Sequence, residues 1–141
     1  PAMVRARELM DRQSPGLEQA VMADFMLEGH LSRHLRRMRV LYSSRQEALL
    51  RAARRYAADL FEIGEAEGGV NRVAWLAPGL SDVEAVDALK PEGFMCLPLS
   101  EFRLRPGGRD ALVMGFAGMS EDDIDAGVQR MAAILRPMLR R

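Results

Sequence analysis

The side chains able to do chemistry in this chain are mostly arginines. Arg103, Arg105 and Arg109 share one Gly-containing loop, Glu101 to Asp110. Guanidinium forks suit carboxylates and phosphates, so this loop is a candidate anion site; a ligand-free exposed loop is the other reading. His30 and His34 stand four apart, the spacing that can turn two imidazoles to one side of a helix as metal ligands. No HExxH, no second cysteine and no third ligand besides Glu28 accompanies them, so the expectation is a capping or interfacial pair and no metal. Lys90, the only lysine, is the one amine that could form a Schiff base, and that role needs a desolvated pocket or cationic neighbours. Its place at a helix end beside Pro91 and Glu92 predicts an exposed surface lysine. The serines lack a His–acid pair, and the chain by itself presents no catalytic set.

The elements that would position these groups follow from periodicity. Residues 2 to 11 read as a helix with Val4, Leu9 and Met10 as apolar contacts. Arg12 to Gly16 breaks it. Ser14 can cap a second helix, about Leu17 to Leu27, with Pro15 in its first turn and Glu18 near its positive end. That helix is rich in small and apolar residues (Ala20, Val21, Ala23, Phe25), which predicts burial. Gly29 stops it. From Leu31 to Tyr56 there is neither Gly nor Pro, and Leu31, Leu35, Met38, Leu41, Tyr42, Leu49, Ala52 and Tyr56 keep one apolar stripe. This predicts one helix ending near Asp59, about 40 Å long at roughly 1.5 Å per residue. Its many arginines offer a phosphate-binding face or, as the favoured reading, a solvated or subunit-facing surface.

Beyond it, Leu60–Ile63 and Val70–Leu76 read as strands, with Asn71, Val73 and Trp75 on one face. Ser81 caps a short helix with Glu84 at the capping-box position. Phe94–Leu97 and Ala111–Phe116 are strands, and Ser120 opens a last helix carrying Ile124, Val128, Met131 and Leu135. The order, three helices then β-β-α-β-β-α, predicts an α+β fold with a small, mostly antiparallel sheet covered by helices.

At 141 residues the expectation is one domain able to bury a core. Zero formal net charge favours neither nucleic acid nor membrane as a partner of this segment. Cys96 stands alone in an apolar run, which predicts a buried thiol and a reducing cytoplasm. No stretch has the length or apolarity of a membrane span. The opening residues Pro1 to Arg7 start inside a helical pattern, which predicts a piece of a longer chain.

One tract is specific: Leu17–Ala20 through Asp24–Phe25, then Glu28–Leu31 and Arg33–Arg39 with Tyr42. With Glu67–Asn71, Trp75–Leu76, Pro98–Ser100 and Met114–Ala117, it resembles the C-terminal part of MocR-type transcriptional regulators. These are GntR-class proteins that join a winged helix-turn-helix to a domain similar to fold-type I aminotransferases, which holds pyridoxal phosphate (PLP). The resemblance implies that residues 1–28 are the tail of the large PLP-binding domain, 29–59 a long interdomain helix, and 60–141 the small C-terminal subdomain. It implies a homodimer, DNA binding through an N-terminal domain absent from this chain, and a small amino-acid-like effector. PLP would belong to the full-length protein, with its lysine upstream, and this segment alone is not expected to bind it. The resemblance places Ser14 at the cofactor phosphate of a neighbouring subunit and Gly68, Gly69 and Asn71 near the ligand pocket, where Arg103, Arg105 or Arg109 is a candidate for the effector's acid group. Two positions depart from the pattern. Val113 stands where such aminotransferases carry an arginine for the substrate carboxylate, and Asn71 stands where the regulators commonly show histidine. The regulator reading is therefore set against two others: the small domain of a genuine aminotransferase, and a free-standing interaction module.

Overall fold

The structure, a computed structural model, describes residues 2–11, 15–64, 69–105 and 107–139. The chain forms two compact units, Pro1–Arg39 and Val40–Arg141. The first holds α1 (Ala2–Asp11), α2 (Gly16–Leu27) and the opening of α3 (His30–Tyr56). Gly29 separates α2 from α3 with a φ of 76°, a left-handed turn that glycine adopts without strain. Pro15 takes the N-cap position of α2 and makes no side-chain cap, instead of standing in the first turn as expected. Proline has no side-chain acceptor, and Ser14, the predicted cap, lies outside the described residues.

The predicted burial of α2 is corrected: none of its residues is buried, and Leu17, Val21, Met22, Met26 and Leu27 are exposed. Composition identifies an apolar helix, but burial needs a covering surface. Within this unit two helices and the start of a third enclose no core.

The second unit is built on a four-stranded antiparallel sheet in the order β1-β2-β4-β3, with β1 Phe61–Ile63, β2 Asn71–Leu76, β3 Cys96–Pro98 and β4 Ala111–Gly115. Side chains alternate across it. Phe61, Ala74, Leu76, Leu112, Met114 and Cys96 join one core with α3, α4 (Asp82–Leu89) and α5 (Glu121–Leu135). Ala48, Leu49, Ala52 and Ala53 of α3, with Ala57 just past its end, are the helix's contribution to that core. Asn71, Val73, Trp75, Val113, Gly115 and Leu97 lie on the other face, where none is classed as buried.

Several boundaries differ from the expected ones. The long helix stops at Tyr56 instead of near Asp59 because Arg136 seizes its end: the guanidinium donates to the Tyr56 carbonyl at 2.6 Å and to both Asp59 oxygens at 2.9 Å. A cation on terminal carbonyls is a favourable end to a helix. Strand β3 begins at Cys96 because Gly93, with φ 83°, turns the chain and the Phe94 N–H bonds back to Leu89. Pro98 is tolerated in β3 because β3 is an edge strand.

Both predicted caps of this unit form. Ser81 accepts from the Glu84 N–H at 3.4 Å. Ser120 accepts from the Asp123 N–H at 3.1 Å while Asp123 accepts from the Ser120 N–H at 3.3 Å, a reciprocal capping box. Ser120→Ala is expected to cost about 1 kcal/mol, read as a lower urea midpoint at unchanged slope.

Candidate functional site

The predicted site residues divide between the two ends of β2. At its beginning, Asn71 pairs with Gly115 of β4, and its Oδ1 lies 3.2 Å from where a Cβ on Gly115 would stand. Glycine therefore leaves room for the amide to lie across the neighbouring strand. The Phe116 N–H donates to the Val70 carbonyl at 3.2 Å and prolongs the pairing past the strand ends. Gly69 precedes with φ 92°; Gly68 lies outside the described residues. One step along the same face, Val73 pairs with Val113 and Val113 with Leu97. An amide beside aliphatic side chains can donate and accept hydrogen bonds but offers no charge.

The arginine loop lies at the other end. Arg109 donates from Nε to the Leu76 carbonyl at 3.1 Å, from a terminal nitrogen to the Trp75 carbonyl at 3.4 Å, and to Glu62 at 3.4 Å. Five steps of extended chain lead from Asn71 to Leu76, about 17 Å, so the structure does not gather these residues into one pocket. Arg103 donates to the carbonyls of Gly107, at 2.8 Å, and of Arg109, and sits 3.9 Å from the Asp110 carboxylate. Gly108, with φ 99°, passes 3.3 Å beneath that guanidinium at its Cβ position. The oxygens anticipated from a ligand are thus met by the chain itself for Arg103 and Arg109. Arg105 is exposed on the loop.

His30 bonds Glu28 at 3.0 Å and stacks on Phe25 with ring centroids 5.5 Å apart. Among the described residues no group of three His, Cys, Asp or Glu could hold a metal. The described residues also do not fit PLP. Lys90, the sole lysine, closes α4 as an exposed residue. Ser14, the residue matched to the cofactor phosphate, is not among those described. Cys96 is buried, and burial pushes its thiol pKa up, which makes it a poor nucleophile.

Two buried polar residues escaped sequence reasoning. Arg72, 3% exposed, turns inward on β2 with its guanidinium 5.9 Å from the centre of the Phe116 ring. Strand alternation after Asn71 signals that inward turn. Asp82, 1% exposed, accepts from the Ser100 N–H at 2.9 Å and its hydroxyl at 2.8 Å. Position after a cap predicts only a helix-dipole role for Asp82; its partner 18 residues away carries no local signal.

No family model matches the chain. It is 33% identical over 115 residues, 82% of its length, to the probable rhizopine catabolism regulatory protein MocR of Rhizobium meliloti. It is 28% identical over 94% of its length to the uncharacterized HTH-type transcriptional regulator YhdI of Bacillus subtilis. The chain spans 23% and 28% of these two relatives. Among solved structures, LysN, the alpha-aminoadipate aminotransferase of Thermus thermophilus, superposes with a TM-score of 0.83 at 26% identity, over 97% of this chain and 35% of that one. The multiple substrate aminotransferase of Thermococcus profundus shares the fold, with a TM-score of 0.86 at 22% identity over 100% of this chain and 36% of that one. No helix among the described residues is long and apolar enough to cross a membrane. The chain is an aminotransferase-like segment of the kind found in MocR-type regulators of the GntR class, built on the fold of PLP-dependent fold-type I aminotransferases.

Proposed function

We propose that this chain is the effector-sensing and dimerisation part of a longer, cytoplasmic, PLP-dependent transcriptional regulator. In that protein residues 1–28 complete the large PLP-binding domain, 29–59 form the interdomain helix, and 60–141 form the small domain. The cofactor is held by residues outside this segment, apart from a phosphate contact by Ser14 of a neighbouring subunit. DNA is bound through an upstream helix-turn-helix domain, and the protein works as a homodimer. This segment carries no catalytic residue of its own.

The observation that carries the regulator reading is the neutral end of the sheet. Around the beginning of β2 the outer-face residues of β2 and β4 are Asn71, Val73, Val113 and Gly115, and none is charged. Gly68, Gly69 and Asn71 form the effector contact in this reading. Arg103 and Arg109 brace the loop at the far end, and an anionic effector reaches them only by displacing carbonyl partners; Arg105 is open to one. An effector that binds one inter-domain arrangement better than another shifts the population and with it the affinity for DNA.

The kinship with LysN favours a second reading, the small domain of a true aminotransferase. The two are separated in the full-length protein. A regulator takes up PLP and changes its operator affinity with an amino-acid-like effector, while the transamination half-reaction stays slow. Val113→Arg is expected to strengthen binding of α-amino acids by roughly 10- to 150-fold, the size of a charge-assisted bond of about 1.5–3 kcal/mol. Rapid turnover of amino acids by the unmodified protein, with no operator binding, would establish the enzyme instead.

A further inference from the structure

A groove of about 540 Å³ runs between α5 and the β3–β4 side of the sheet, within the second unit. That volume suits a small organic ligand. Its apolar walls include Phe94, Met114, Phe116, Met119, Ile124 and Met131. Thioethers are soft and adaptable and pack well against aromatic rings.

Glycines keep the groove open. Gly127 sits in the interior of α5, where glycine is unfavourable relative to alanine. Packing within the chain does not require it: a Cβ there would meet only the Met119 methyl, at 3.8 Å, and one on Gly118 would meet nothing within 4 Å. Helix stability is thus forgone at a position that clears space on the groove side.

The charged residues of the lining, all of them exposed, select the occupant. Glu92 and Asp123 are acidic, and Arg130 is the one cation among the lining residues. Arg130 is already engaged: it lies 5.3 Å from the Phe94 ring centre, donates to the Glu92 carbonyl at 2.9 Å and approaches the Glu92 carboxylate at 3.7 Å. Asp123 remains an anion, held below the usual carboxylate range by the hydroxyl and N–H of Ser120, both of which bond its Oδ2. We propose that this groove binds a small apolar amine, with its hydrocarbon body among the methionines and phenylalanines and its ammonium at the mouth, facing Asp123. The proposal does not rest on the PLP reading.

The test uses the complete protein with methyl-labelled methionine. The probe is N,N-dimethyl-1-naphthylmethylamine, a tertiary amine that cannot condense with an aldehyde, compared with 1-naphthylmethanol and 1-naphthoate. The amine is expected to shift the Met114, Met119 and Met131 methyl signals saturably, at least about tenfold more tightly than the alcohol or the acid. Asp123→Asn, which keeps an acceptor for the cap, should bring the amine down to the affinity of the alcohol. Gly127→Leu should abolish the shifts while the protein melts no lower, and Gly118→Leu provides an independent block should Gly127→Leu fail to fold. Equal affinity for amine and alcohol, shifts confined to other methionines, or shifts that survive both blocking substitutions would overturn the proposal.

Discussion

Asp82→Ala is expected to lower the stability of the second unit by about 2–4 kcal/mol, because it strands several buried donors at once. The carboxylate joins the start of α4 to the turn after β3 through the N–H and hydroxyl of Ser100. It also accepts from the backbone N–H groups of Val83 and Ala111, the latter opening β4. A single side chain thereby ties together three segments distant in sequence. Burial alone would raise its pKa, but the hydrogen bonds outweigh burial and hold it below the ordinary value. The sign of the pH effect follows. A depressed folded pKa contributes stability that is fully present above the unfolded pKa of about 3.9 and is lost as pH falls through the folded value. Asp82→Asn keeps the shape and part of the bonding, so it should cost less than alanine and flatten the acid limb of the stability profile. Urea denaturation across the acid range checks both; an unchanged acid limb in Asp82→Asn would exclude this carboxylate as its source.

Leu112→Ala should be equally damaging, about 2–5 kcal/mol. Leu112 is fully buried in β4, paired with Ala74 on one side and Pro98 on the other. Both cross-strand neighbours are compact, so they offer little to collapse into the space a leucine leaves. The loss should appear as a lower denaturation midpoint with an unchanged slope. Leu112→Met, which nearly conserves volume, should cost less than about 1.5 kcal/mol. A similar loss for methionine and alanine would mean that side-chain shape, not the cavity, governs the site.

Local chemistry makes much of this protein legible in its sequence. Gly29 marks the break before α3, the Ser120 and Asp123 pair marks the start of α5, and the alternation from Asn71 to Leu76 marks β2. Each depends on residues within one turn or one strand. The specific part of the resemblance to regulators lies likewise within one short span of sequence, Leu17 to Tyr42, and the relatives and the fold agree with it.

What tertiary structure decided are partnerships between distant residues. Arg136 shortens α3 by binding Tyr56 and Asp59, and the tie from Asp82 to Ser100 crosses from helix to turn. Register sets Asn71 and Arg109 at opposite ends of β2, although both belonged to one expected pocket. A guanidinium reads in sequence as an unoccupied anion binder, whereas folding brings backbone carbonyls to it. Composition likewise marks α2 as apolar but cannot say what surface covers it. Sequence determines the short-range choices because their energies lie between near neighbours; the site depends on which far neighbours the fold delivers, and only the assembled sheet and helices determine that.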